Sequence, residues 1–166
     1  MFDVAQTEGD ELPEEPQPVE IHDDKATAAW AMNTLAGIIH DHGISVVRED
    51  TRPALGYWNR RRKVIALDTS LRGSQALKTL VHEMAHAMCD HRGSISKADA
   101  ETVAESIAFV VLDWLGIDTS SYSVPYIGAW AEDVATLKAN VQTIRTVSQS
   151  IIGLIEHAAT PVQVAA

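Results

Sequence analysis

Cysteine is nearly absent: Cys89 is the single thiol in 166 residues, so no internal disulfide can form and the chain suits a reducing compartment. The first residues hold no basic patch leading into an apolar run, which a secretory signal would need. No apolar stretch approaches the ~20 residues that cross a bilayer. We therefore expect a cytoplasmic protein with no membrane partner. Positive charge is missing from one end altogether. Met1 to Asp24 carries nine acidic residues and no Lys or Arg, with Pro13, Pro16 and Pro18 among them. Such a composition buries too little apolar surface to fold, and 1–22 is expected to be an acidic, Pro-rich, disordered leader. The other 142 residues hold 14 acidic and 13 basic side chains. That near-neutral balance offers no long-range attraction for nucleic acid, which is not an expected partner.

What remains is enough for one domain with a proper core, expected over 23–158, followed by a frayed 159–166. Asp23 and Asp24 suit a helix start, and Ala28, Met32, Leu35 and Ile39 repeat at helical spacing until Gly43. Three extended runs follow, Ile44–Arg48, Ala54–Trp58 and Lys63–Asp68, and Asn59–Arg62 suits a hairpin connection between the last two. Arg60, Arg61, Arg62 and Lys63 read as a solvated turn, with a phosphate-binding patch as the alternative. Near the C-terminus Ser123-Val124-Pro125 resembles a helix start. Trp130, Val134, Leu137, Val141, Ile144, Ile151 and Ile155 then form one apolar stripe on a long helix. It is expected to pack across the back of a monomer; a dimerisation seam is the alternative. The fold class is α+β, with a small three-stranded sheet on about four helices.

The chemistry sits in His82-Glu83-Met84-Ala85-His86. Residues four apart on a helix share a face, so both imidazoles can grip one zinc ion. Glu83 is turned about 100° away, close enough to act on a water there as general base. Shuffling this composition yields an HExxH in roughly 2% of sequences, so context has to decide. The segment Gln75–Cys89 has no Pro or Gly and sets Leu77, Leu80, Val81, Met84 and Met88 at helical spacing, which marks a half-buried helix. The plain alternative is two histidines and an exposed glutamate.

Catalytic zinc usually has three protein ligands and leaves a fourth position for water. Arg92–Ser96 reads as a turn, and a second helix is expected from about Lys97 to Leu115, stopped by Gly116. If the two helices run antiparallel, counting from the turn sets Glu101 level with His86 and Glu105 level with His82. We assign Glu101 as third ligand and Glu105 as acceptor for the N–H of a ligating imidazole. The alternative is a solvated acidic pair. Asp90, four residues after His86, is a weaker ligand candidate, and His91 is off the ligand face. Cys89 reads as a small buried hydrophobe.

Residues 75–86, read with Glu101–Phe109, resemble the ImmA/IrrE-like zinc metallopeptidases, a compact gluzincin family. Asp118–Trp130 is further similar to the version attached to ArdC-type antirestriction proteins. The resemblance covers roughly 44–157. It implies a zincin-like domain with a zinc site of His82, His86 and Glu101, Glu83 as base, and Glu105 steadying a ligand. DNA binding is not implied, since no segment is long enough for the DNA-binding domain that precedes ArdC-type members. Met88-Cys89-Asp90-His91 departs from the family pattern after the motif.

The expected activity is peptide-bond hydrolysis with one Zn2+, directed at a specific protein partner such as a repressor or antitoxin. Tyr122 and Tyr126 are candidate oxyanion donors, with ring packing as the alternative. An edge strand, for which Lys63–Asp68 is the candidate, would hold an extended peptide. The rival readings are a non-catalytic, zinc-containing protein-binding module and an antirestriction or DNA-associated accessory protein.

Overall fold

Helical spacing of small and aliphatic residues builds α1 (Ala26–Asp41), which buries Ala28, Ala31, Leu35 and Ile39. The computed structural model describes residues 26–89, 95–130 and 134–159. The expectations for the leader, for Asp23 and Asp24, for Asp90 and His91 and for 160–166 fall outside these residues. Strands β1 (Ser45–Glu49), β2 (Gly56–Asn59) and β3 (Val64–Asp68) follow, within a residue or two of the three expected runs. Their order is β1-β3-β2, with β1 parallel and β2 antiparallel to β3. The β2–β3 hairpin turns through exposed Arg60–Lys63, where the Asn59 carboxamide oxygen accepts the Arg62 N–H at 3.0 Å.

One expectation is overturned here. Lys63–Asp68 is no edge strand, because β3 pairs on both sides and is buried along its whole length. Its run of Val64, Ile65, Ala66 and Leu67 is apolar on both faces, as a central strand requires. The free edge nearer the motif belongs to β2. Gly56 lets that edge sit low: a Cβ there would lie 2.7 Å from the Ala66 carbonyl oxygen and 2.8 Å from Thr79 Cγ2.

The motif helix α2 (Gly73–Cys89) crosses β2 and β3 and is buried almost all round from Ser74 to Val81. It packs against α3 (Lys97–Trp114), through Leu77, Leu80, Val81 and Met84 on one side and Val103, Ala104, Ile107 and Ala108 on the other. Ser96 caps α3, accepting the Asp99 N–H at 3.0 Å. Gly116, at φ 74°, ends it as expected.

The C-terminal stretch forms two helices rather than one, which makes five helices among the described residues. α4 (Ser120–Trp130) starts before Ser123 and holds Pro125 inside it, and α5 (Val134–Ala159) follows. The start signal is Asp118, whose carboxylate accepts the Ser120 N–H at 2.8 Å. Ser123 instead turns its hydroxyl inward. α5 lies against α3, α1 and α2 through Ile144, Ile151 and Ile155, while Val141 faces solvent. The side chains of Trp130 and Val134 lie outside those described.

Candidate metal centre

Two ladders of side chains face each other across α2 and α3. On α2, Lys78, His82 and His86 follow at four-residue intervals and so share one face; on α3, Glu101 and Glu105 do the same. His82 Nε2 lies 3.1 Å from His86 Nε2 and 3.3 Å from Glu101 Oε2, and His86 Nε2 lies 3.7 Å from Glu101 Oε1. On the far side of the same ring, His82 Nδ1 is 3.1 Å from Glu105 Oε2.

These spacings can be tested against an ion. Tetrahedral zinc with bonds of about 2.0–2.1 Å separates its ligand atoms by roughly 3.3–3.4 Å, and the three separations here bracket that value. The donor chemistry agrees. Glu105 can only accept, so His82 Nδ1 carries a proton, and Nε2 on the other side of the ring faces a carboxylate and a second imidazole. A cation at that point satisfies all three. Among the described residues His82, His86 and Glu101 are the set of three His, Cys, Asp or Glu side chains whose geometry could hold a metal ion.

The electrostatics reflect this crowding of acceptors. Burial works against charge on His82, but hydrogen bonds to Glu101 and Glu105 outweigh it and raise the imidazole to about 9. Burial likewise opposes ionisation of Glu101, and is overcome by the two histidines, which hold it well below the carboxylate range. Glu83 is different. Only 7% exposed, it is raised mainly by burial, against the nearby histidines and a hydrogen bond from the Trp58 backbone.

A pocket of about 710 Å³ opens onto these groups. His82, Glu83, His86 and Glu101 form one wall, the β2 edge from Gly56 to Trp58 a second, and Tyr122 and Tyr126 of α4 a third. The two rings stack with centroids 5.8 Å apart. Tyr122 is buried and Tyr126 half-buried. Arg60 stands at the rim. Cys89, half-buried, has its thiol pushed up to about 11 by burial, so it stays neutral at ordinary pH.

Two residues of this site escaped the sequence reading. Lys78, 3% exposed, sets its ammonium 2.9 Å from both oxygens of Glu105, and Ser123 donates its hydroxyl to Glu105 Oε1 at 2.6 Å. Burial lowers the Lys78 ammonium while the Glu105 charge opposes that. Burial opposes the charge on Glu105 in turn, yet His82 and Lys78 hold the carboxyl down at about 2. The available signal is the position of Lys78 one turn before His82, as the one charged residue between Gly73 and Val81.

Residues 39–109 match the model of the Peptidase M78 family, described as the IrrE N-terminal-like domain. Over that segment the chain is similar to the ImmA/IrrE-like metallopeptidases. The match spans β1 to β3, the motif helix and most of α3, and thus every residue of the two facing ladders. An uncharacterized protein of Bacillus anthracis is 27% identical over 105 residues, which make up 60% of this chain and 18% of that protein. The chain therefore spans less than a fifth of that relative's length. No solved structure matches. Among the described residues no helix is long and apolar enough to cross a membrane.

Proposed function

We propose that this chain is a zinc-dependent metallopeptidase of the gluzincin type, acting in the cytoplasm on one specific protein partner such as a repressor or antitoxin. The reading is carried by the convergence of His82 Nε2, His86 Nε2 and the two Glu101 oxygens, with the nitrogens 3.1 Å apart and one oxygen 3.3 Å from His82 and the other 3.7 Å from His86, and with Glu83 beside them on the pocket wall. His82, His86 and Glu101 would hold the ion. Zinc bound there supplies a Lewis acid for the scissile carbonyl and brings the pKa of a water down toward 7.

The remaining steps belong to side chains. Glu83 takes a proton from the attacking water and returns it to the leaving amine nitrogen. Its burial-raised carboxyl suits a group that must both accept and release that proton. Glu105 accepts the His82 Nδ1–H, fixing the tautomer that directs the Nε2 lone pair at the ion. Tyr126 is assigned the oxyanion, since it is the less buried of the two tyrosines that line the pocket. An extended substrate would lie along the β2 edge, adding a strand to the sheet.

The deciding experiment compares the proteomes of host cells expressing the wild type and Glu83→Gln. A protein that disappears with the former and persists with the latter supports the proposal and names the substrate. A partner bound in stoichiometric amount and left intact by both would make the chain a binding module instead.

A further inference from the structure

We propose that Lys78 is a positioning residue of the metal centre. Its ammonium holds the buried Glu105 carboxylate in charge balance against His82 Nδ1, and Ser123 fastens helix α4 to the same carboxylate. The inference rests on the metallopeptidase reading, since it concerns how the proposed ligand His82 is oriented.

The Glu105 carboxylate is 1% exposed and so is shielded from bulk solvent. Three side chains from two helices fix its two oxygens. Lys78 lies 2.9 Å from each, Ser123 Oγ 2.6 Å from Oε1 and His82 Nδ1 3.1 Å from Oε2. Lys78 and His82 are one turn apart on α2, so the helix holds the cation and the imidazole as a matched pair against one acceptor. A lysine is almost never this deeply buried unless paired, and Tyr122 closes the other side of the ammonium with its ring face. An ordinary structural ion pair would end there. This one continues, because the same carboxylate sets the ring whose Nε2 faces Glu101 and His86. It also reaches α4, through a serine between the two tyrosines of the pocket wall.

Removing only the cation strands a buried anion, whereas replacing both partners by neutral groups removes the conflict. Zn2+ affinity of the full chain, measured by competition with a chelating indicator, reads the difference without any substrate. Lys78→Met, which keeps the length of the stem, should weaken Zn2+ binding about 10–100-fold. Lys78→Met combined with Glu105→Gln should recover most of that loss, because the Gln carbonyl still accepts from His82 Nδ1. If Lys78→Met binds Zn2+ like the wild type, or the double variant binds no better than Lys78→Met, Lys78 merely packs and the proposal is overturned. Should Lys78→Met fail to fold, the double variant decides alone: folded, with the affinity of Glu105→Gln, it supports charge balance, and unfolded it refutes it. A wild type that takes up no Zn2+ would overturn the metallopeptidase reading and this inference together. Zn2+ uptake without proteolysis would overturn only the former, and the affinities would still decide the latter.

Discussion

Glu101 and Glu105 stand one helical turn apart on α3 and meet opposite nitrogens of one imidazole, Glu101 at 3.3 Å from His82 Nε2 and Glu105 at 3.1 Å from Nδ1. Identical side chains thus receive different tasks from their surroundings. Glu101 is partly exposed, at 19%, while Glu105, at 1%, is held between Lys78 and Ser123.

Glu83→Gln keeps the shape of the wall and removes the proton acceptor. Turnover of a protein substrate should fall on the order of 10²–10⁴-fold. Bound metal, measured by elemental analysis, should stay at the wild-type amount. Wild-type turnover in this variant would remove Glu83 from the base role.

Tyr126→Phe tests the oxyanion assignment. Loss of one such donor costs roughly 10²-fold in kcat, and KM should barely move because the ring still lines the pocket. Tyr122→Phe should leave kcat near wild type. Equal losses in both variants would point to packing of the stacked pair.

Asp68 contributes to acid stability outside the candidate metal centre. Its carboxylate accepts the Ser70 hydroxyl at 2.5 Å and the Ser70 and Thr51 N–H groups at 2.9 and 3.0 Å, and these bonds lower it from 3.8 to about 2. The folded value lies below the unfolded one. Its contribution is therefore complete above about pH 4 and is lost as the pH falls toward 2. Urea unfolding should show that Asp68→Asn destabilises at pH 6 and much less at pH 2.5. A penalty independent of pH would show that the charge on Asp68 contributes nothing.

Gly56→Ala pushes β2 off the sheet and off α2, since the added carbon meets backbone at 2.7 Å. Overpacking of this kind costs about 1–3 kcal/mol. A thermal melt unchanged from wild type would show that the edge strand can shift freely.

The part of the site legible in the sequence was the part fixed by helical periodicity and a short connection. His82 and His86 share a face by spacing alone, and counting outward from the turn set Glu105 level with His82. What tertiary packing decides stayed hidden. Lys78 looks like any solvated lysine until Glu105 and Tyr122 close around it, and Ser123 has the composition of a cap although its hydroxyl turns inward to Glu105. Strand order was equally out of reach. A buried apolar run such as Val64–Leu67 signals a covered strand, but whether it lies at the centre depends on which neighbours pair with it. Likewise, Ser123-Val124-Pro125 resembles a helix start, yet the helix begins at Ser120 and holds Pro125 inside it.

Helix α2 carries Lys78, His82 and His86 on one side and Leu77, Leu80, Val81 and Met84 in the core. The two histidines of the candidate centre and the cohesive residues share one rod, so unravelling that helix would dismantle both at once. On warming, the proposed activity should vanish together with the cooperative melt rather than in an earlier, local step.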